Sequence, residues 1–175
     1  MRIVIQRVSA ASVSVFREPE ELAGATSRER KRIAAINTGM LLLIGVGVRD
    51  VTSAEGLTTP AAQIEKMLDK VADKIAGLRI FSDDTGKMNL NITQAGGSIL
   101  AVSQFTLYAD TSRGRRPGFQ DAAPPVVAEE IYLRLVAKLR AHKIDVLTGQ
   151  FGADMAVELC NNGPVTIVLE ESPNP

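Results

Sequence analysis

Hydrophobic and polar residues alternate at both ends of the chain, and this period of two predicts β-strands there. At the amino-terminal end the pattern covers Ile3–Val8 and then Ser12–Phe16. Near the carboxyl-terminal end it covers Met155–Leu159 and Val165–Leu169, with turn-forming residues between the two stretches. The pattern therefore predicts two strands at each end of the chain.

The middle of the chain alternates between strand and helix patterns. Apolar runs at Met40–Val48 and Ile99–Phe105 predict two buried strands. Apolar residues at helical spacing predict one helix over 61–78 and another that follows Pro124-Pro125 and ends near Lys143. These elements together predict an α/β fold, a mixed and twisted sheet backed by two helices.

A charged stretch interrupts the strand patterns near the start of the chain. Residues 17–32 contain five basic and four acidic side chains, where a short turn could have joined two strands. We predict a hairpin insertion at about 17–35, within a single domain that spans 1–175 and ends in a frayed tail at 172–175. The insertion is either a solvated extension or an arm that contacts RNA through Arg28, Arg30, Lys31 and Arg32.

Composition and charge narrow the classes of function. The 175 residues carry a formal net charge of zero, which argues against coating of many nucleic-acid phosphates and leaves a local contact as the alternative. The amino-terminal residues lack the pattern of a signal peptide, and the longest apolar run is too short for a membrane helix. We expect a cytoplasmic protein without a membrane segment.

The chain contains few side chains that commonly perform catalysis. It has one histidine, His142, and one cysteine, Cys160, so neither an internal disulfide nor a zinc site is expected, and no metal or cofactor is predicted. We expect His142 to lie at the end of the second helix and Cys160 to be a buried apolar residue. Any activity must then depend on hydroxyls, carboxylates, backbone groups or the ligand itself.

Two short segments place polar residues beside apolar strand patterns. Ser103–Leu107 brings three hydrogen-bonding side chains to the end of a strand, which is unfavourable unless they face a site or have partners. A strand end with satisfied polar groups is the alternative. In Asn161–Thr166, the Gly163-Pro164 pair can adopt a cis peptide bond and unusual backbone angles, although it is also compatible with an ordinary turn.

These two segments and several others resemble the D-aminoacyl-tRNA deacylases, in order and over nearly the whole chain. The Ser-Gln-Phe-Thr-Leu and Asn-Gly-Pro-Val-Thr segments correspond to the two signatures of that family. The other matching segments are Ile5–Val8, Arg79–Asp83, Gly86–Asn89, Arg113–Pro117 and Ala153–Met155.

The resemblance implies a homodimeric hydrolase that acts on the aminoacylated 3′ end of tRNA, without a cofactor. Its substrate would be the ester that joins a D-amino acid to the terminal ribose, or glycine mischarged on tRNA(Ala). The carbonyls of Gly163 and Pro164 would enter the neighbouring subunit's pocket and exclude L side chains, and Arg7 would hold this segment in place.

The resemblance also assigns the remaining site residues. Ser103, Gln104, Phe105 and Thr106 would line the catalytic pocket, with backbone amides stabilising the oxyanion. We favour hydrolysis assisted by the 2′-hydroxyl of the substrate, and a nucleophilic Thr106 is the alternative.

Two further groups would contact the tRNA. Phe151 and Met155 would pack on the terminal adenine. Arg113, Arg115 and Arg116 are candidate phosphate contacts, and a solvated basic loop is an equal alternative.

Two rival functions stay open on the residues alone. One is a nucleic-acid-binding module without turnover, and the other is a hydrolase of small esters or N-acyl amino acids. The intact signature segments argue against the first, and the missing Ser-His-Asp or metal arrangement argues against the second.

Overall fold

The main sheet of the protein is mixed, and helices pack against it. The computed structural model describes residues 1–16, 30–52 and 58–173. Its elements in chain order are β1 (Arg2–Phe16), β2 (Arg30–Ile36), β3 (Gly39–Gly45), α1 (Val48–Val51), α2 (Ala61–Gly77), β4 (Phe81–Ser82), β5 (Met88–Leu90), β6 (Ser98–Ser103), α3 (Pro125–Ala141), β7 (Val146–Thr148) and β8 (Met155–Glu170). A 3₁₀ turn (Phe105–Tyr108) follows β6.

The six-stranded sheet combines antiparallel and parallel pairs. Its strand order is β2-β1-β3-β6-β7, with β8 on β1, while β4 and β5 form a separate hairpin. β1 is antiparallel to β2, β3 and β8, whereas β3–β6 and β6–β7 are parallel. The predicted mixed sheet and its two long helices, α2 and α3, are confirmed, and the one-turn helix α1 was not predicted.

Two apolar cores lie on opposite faces of β3 and β6, because side chains alternate across a strand. The helix-side core packs one face of the sheet against α2 and α3, and includes Ile5, Leu42, Ile99, Leu68 and Leu135. The inner core lies on the other face and is covered by β1 and β2. It comprises Val8, Ala11, Val13, Ala34, Ile36, Leu41, Leu100 and Val102.

At both ends of the chain the structure has one long strand where two were predicted. β1 is continuous over Arg2–Phe16 and β8 over Met155–Glu170. The turn chemistry around Gly163 does not end β8, because β8 remains paired with β1 on either side of it. Register shifts between Gln6 and Val8 and between Val8 and Ala10 absorb the irregularity.

Other boundaries differ less. The strand predicted to reach Phe105 ends at Ser103, where the backbone turns into the 3₁₀ turn. Residues 17–29 of the predicted insertion lie outside the described residues, and 30–35 belong to β2, which pairs with β1. Of the predicted tail, 174–175 also lie outside the described residues. Among the helices that are described, none combines the length and apolar composition needed to cross a membrane.

The close approach of β3 and β6 predicts a stability test at Gly39. A Cβ built at Gly39 would lie 1.9 Å from the backbone oxygen of Ser98, so Gly39→Ala must separate two paired strands. We expect destabilisation by about 3 kcal/mol, measured by urea unfolding. Gly77→Ala, with no atom within 4 Å at the end of α2, is the control and should change stability by less than about 1 kcal/mol. Equal unfolding midpoints for the two variants would contradict this account.

Candidate active site

A cavity of about 780 Å³ lies where β3 and β6 end. The two strands are parallel and Ile44 pairs with Ser103, so the segments that leave them diverge from one edge of the sheet. The lining comes from these strand ends, from the segments that lead into α3 and β8, and from α3 itself. It includes Ile44, Val46, Ser103, Gln104, Phe105, Phe119, Ala123, Pro124, Tyr132, Phe151, Asp154 and Met155.

The structure brings five of the predicted site residues to this cavity: Ser103, Gln104, Phe105, Phe151 and Met155. The first three lie at the end of β6, and the other two lie just before β8 and at its first residue. These two groups are about fifty residues apart in sequence. They meet because the first residues of β8 pair with the last residues of β1, which cover the inner core beside Val102.

Gln104 connects the end of β6 to the 3₁₀ turn and to Thr106. Its backbone N–H donates to the Ile44 carbonyl at 2.7 Å, which fixes the chain against the end of β3. Its side-chain amide donates to Thr106 Oγ1 at 2.5 Å. Thr106 is exposed and, contrary to the prediction for this segment, is not part of the cavity lining. Its hydroxyl therefore contacts an amide group, which cannot accept a proton as a catalytic base does.

Two phenylalanines form an apolar rim on the cavity. Phe105 and Phe119 meet edge to face, with ring centroids 5.0 Å apart. Both are unusually exposed for phenylalanine, at 57% and 39% of the residue's full surface. Exposed aromatic rings at a cavity mouth favour contact with a flat apolar group such as a nucleic-acid base.

The opposite wall of the cavity is built around Phe151 and Met155. The Phe151 ring lies 6.1 Å from the ring of Tyr132, whose hydroxyl donates to the Ala101 carbonyl at 3.0 Å. Burial raises the pKa of Tyr132 to about 12, so this phenol stays neutral. A Cβ at Gly149 would lie 2.8 Å from the Met155 sulfur, so the absence of a side chain at Gly149 makes room for Met155.

Gly163 and Pro164 lie elsewhere, in the exposed middle of β8. The peptide bond between them is cis, and Gly163 has a φ of 125°. Arg7, buried on β1, donates from Nε to the Asn162 carbonyl at 2.9 Å and from Nη1 to the Ile80 carbonyl at 2.5 Å. A Cβ at Gly163 would lie 2.5 Å from Arg7 Nη2. The guanidinium thus holds the backbone beside Gly163 and leaves no space for a side chain there.

The Gly163-Pro164 segment does not line the cavity of its own chain. Near the cavity, Arg2 of β1 pairs with Gly45, whereas Arg7 lies beside Gly163. The five residue steps from Arg2 to Arg7 span about 16 Å of strand. The two predicted parts of the site are therefore separated within one chain.

The three predicted phosphate contacts lie together on an exposed loop next to the cavity. Arg113, Arg115 and Arg116 are all exposed. Paired backbone hydrogen bonds between Asp110 and Gly118 close this loop, at 2.8 and 2.9 Å. Since Phe119 directly follows, the loop holds three cations beside the rim of the cavity.

The histidine and the cysteine lie away from the cavity lining. His142 caps the end of α3, with Nε2 3.2 Å from Asp73 Oδ1. Cys160 is exposed on β8, so the prediction that it is buried was wrong. It lies on a strand that pairs only with β1 among the described residues.

Ionisable groups are few around the cavity. Within the described part of the chain, no cluster of three or more His, Cys, Asp or Glu residues could hold a metal ion. Asp154 is the only carboxylate among the described residues of the lining.

Sequence reasoning missed several residues of the site. No predicted role falls on Phe119 or Tyr132, and Tyr132 occupies a buried face of α3 that has an ordinary core pattern. Only the aromatic character of Phe119 in an otherwise polar loop could have indicated a contact surface.

The fold and the cavity define an α/β protein whose described cavity lining contains no histidine and whose described residues hold no metal cluster. Its sequence matches a known family over nearly the whole length. The family model of D-Tyr-tRNA(Tyr) deacylase matches residues 4–170. The chain therefore belongs to the D-Tyr-tRNA(Tyr) deacylase family.

Individual relatives agree with this assignment. Proteins named D-aminoacyl-tRNA deacylase from Rhodopirellula baltica and from Shewanella sp. (strain MR-4) are 47% and 48% identical over 170 residues, in each case 97% of this chain and 99% of the relative. A relative with the same name from Exiguobacterium sp. is 45% identical over 172 residues, covering 98% of this chain and 99% of the relative.

Two solved structures share the fold. One, a "c-Myc DNA Unwinding Element Binding Protein", is 34% identical with a TM-score of 0.75, and the match covers 97% of this chain and 98% of the other. The second, described as a "probable eukaryotic D-amino acid tRNA deacylase", is 15% identical with a TM-score of 0.72, and the match covers 96% and 97%.

Proposed function

We propose that this protein hydrolyses the ester bond of D-aminoacyl-tRNA and releases the free D-amino acid and tRNA. The observation that carries this proposal is the cavity itself. It joins the polar end of β6, at Ser103 and Gln104, to an apolar wall at Phe151 and Met155. Such a cavity can hold a polar ester at one end and a stacked base at the other, and an aminoacylated terminal adenosine contains both. The names of the relatives support the same activity.

In this proposal the active form is a homodimer, in which the Gly163-Pro164 segment of one subunit completes the cavity of its partner. The separation of this segment from its own cavity supports the arrangement. The exposed surface of β8 supports it too, since Leu159 and Val168 are 41% and 65% exposed there. An edge strand with apolar side chains is a ready surface for association.

In this proposal the fixed backbone near Gly163 distinguishes D-amino acids from L-amino acids. The carbonyl oxygens of Gly163 and Pro164, on a backbone that Arg7 holds at Asn162, suit the α-ammonium group of the substrate. An L side chain would need space already filled by backbone atoms, and a steric clash rejects a substrate more strongly than one missing contact does. Glycine has no side chain to reject, so glycyl-tRNA mischarged on tRNA(Ala) is a further proposed substrate.

Catalysis in this proposal depends on position and electrostatics. Backbone amides near Phe105 and Thr106 stabilise the oxyanion, and the 2′-hydroxyl of the terminal ribose assists the attacking water. Arg113, Arg115 and Arg116 lie where they could contact phosphates of the acceptor end. A cytoplasmic location stays a prediction.

The first test compares three substrates. We expect release of amino acid from D-tyrosyl-tRNA roughly 100-fold or more faster than from L-tyrosyl-tRNA, because only the L side chain meets the backbone filter. A simple tyrosine ester should be a poor substrate, because it lacks the terminal adenosine. Equal rates on the two tRNAs would contradict rejection of L side chains. Rapid cleavage of the simple ester would favour a small-ester hydrolase, and tRNA binding without turnover would favour a nucleic-acid-binding module.

The second test asks whether the site crosses subunits. Gly163→Ala damages the filter segment by its overlap with Arg7, and Phe151→Ala damages the cavity. Purified heterodimers of the two variants should recover roughly half of the wild-type activity, because one of their two sites combines undamaged halves. Each variant homodimer should be nearly inactive.

A heterodimer no more active than the homodimers would place both parts of the site in one subunit. Gly96→Ala is the matched control for the glycine variant. Gly96 also has a positive φ, 63°, but no atom lies within 4 Å of its built Cβ. Heterodimers of Gly96→Ala with Phe151→Ala should therefore be as active as heterodimers of the wild type with Phe151→Ala.

The third test concerns the source of the nucleophile. Thr106→Ala should retain activity within roughly tenfold of the wild type, because the Thr106 hydroxyl contacts the Gln104 amide rather than a base. A D-aminoacyl-tRNA whose terminal ribose lacks the 2′-hydroxyl should react roughly 1,000-fold more slowly. Near-total loss in Thr106→Ala, with unchanged tRNA affinity and folding, would assign the attack to Thr106.

A further inference from the structure

A buried carboxylate holds the far end of the 3₁₀ turn that follows β6. Asp50, on α1, is 2% exposed. Its Oδ2 accepts hydrogen bonds from the Tyr108 hydroxyl at 3.2 Å and from the Gly47 N–H at 2.7 Å, and its Oδ1 pairs with the α-amino group of Met1. A carboxylate removed from water is tolerated only where such partners replace its hydration.

Arg2 contacts the same end of the turn from β1. Its guanidinium lies 4.7 Å from the centroid of the Tyr108 ring, and its Nη1 donates to the Leu107 carbonyl at 3.0 Å. Arg2 Nε also pairs with Glu170 at 2.9 Å. The last two residues of the turn are thus held through a ring face, a hydroxyl and a carbonyl.

Two glycines allow the turn to lie directly on the chain that leaves β3. A Cβ at Gly47 would lie 2.4 Å from an atom of the Tyr108 ring. A Cβ at Gly45 would lie 3.0 Å from the Gln104 carbonyl oxygen and 3.2 Å from Leu107 Cβ. The turn therefore has little room to shift toward β3, and the hydrogen bond from Tyr108 to Asp50 opposes movement in the other direction.

We propose that Asp50, Tyr108 and Arg2 are a positioning cluster that fixes the 3₁₀ turn, and with it Gln104 and Thr106, in the geometry that the hydrolytic step requires. The turn spans only four residues, Phe105–Tyr108, so a displacement at Tyr108 reaches Thr106 within about 4 Å of helical rise. This inference rests on the proposed deacylase activity.

The Tyr108 hydroxyl stays protonated at neutral and moderately alkaline pH. Burial, and then the charge of Asp50, raise the pKa of Tyr108 far above its usual value, so its hydroxyl stays a donor. The hydrogen bond from Tyr108 to Asp50 therefore keeps its donor through this pH range.

Tyr108→Phe tests the cluster, because it keeps the packed ring and removes only the bond to Asp50. We expect kcat on D-tyrosyl-tRNA to fall roughly 10-fold, with KM and tRNA affinity within about twofold, because a small misplacement affects the chemical step more than binding. Thr52→Val is the matched control. It removes a hydroxyl that donates to the Val48 carbonyl at 2.9 Å within the same helix, and it should leave kcat unchanged.

Amide hydrogen exchange provides a readout that does not depend on activity. Exchange at 105–109 should become faster in Tyr108→Phe and stay unchanged in Thr52→Val, at a temperature where both are fully folded. An unchanged kcat in Tyr108→Phe, or an equal loss in the control, would overturn the proposal, and so would unchanged exchange in the turn. If the wild type itself releases no amino acid, the proposed function fails, and the exchange result alone decides whether Asp50 and Tyr108 hold the turn.

Discussion

The parallel pairing of β3 with β6 is the constraint on which the rest of the structure depends. Both strands bury side chains on both faces, in the helix-side core and in the inner core, so a shift by one residue would exchange the two sets of side chains. This register places Ile44 opposite Ser103. The two chain segments that leave the sheet there must diverge around a common space, and that space is the cavity.

The repeating patterns in the sequence predicted the elements that local chemistry determines. Apolar runs located the buried strands β3 and β6, and helical spacing located the helices α2 and α3. Both signals lie in neighbouring residues, because they reflect which faces of a local element are buried. The same reasoning split β1 and β8 into two strands each. Around Gly163, local turn chemistry competes with pairing to a strand some 155 residues away, and the distant partner determines the outcome.

The candidate site was predictable to a similar extent. Ser103 and Gln104 stand out as polar residues at an apolar strand end, and the resemblance to the family pointed to Phe151 and Met155. Phe119 and Tyr132 were missed because their position at the cavity arises from contacts between distant segments. Asp50 was missed for the same reason, since a single aspartate after an apolar strand gives no sign that three donors will surround it.

The separation of Gly163 from the cavity has a structural origin. β8 pairs with the whole length of β1, so its first residues reach the cavity while its middle stays beside Arg7. A segment fixed so firmly to its own chain cannot swing into its own cavity without breaking β-sheet pairing on both sides. If Gly163 and Pro164 act on a substrate, the exposed position of β8 makes a neighbouring subunit the accessible place for that contact.

The few ionisable groups around the cavity determine what kind of catalysis it can support. The Thr106 hydroxyl accepts from the Gln104 amide, Tyr132 is neutral, and Asp154 is the only carboxylate of the described lining. A site of this composition offers little proton transfer by side chains, so in the proposed reaction the rate enhancement would come from positioning the ester against backbone dipoles. The proposed catalysis would be sensitive to small displacements, and this gives a reason for the buried Asp50 carboxylate behind the turn, which brings no chemistry of its own to the cavity.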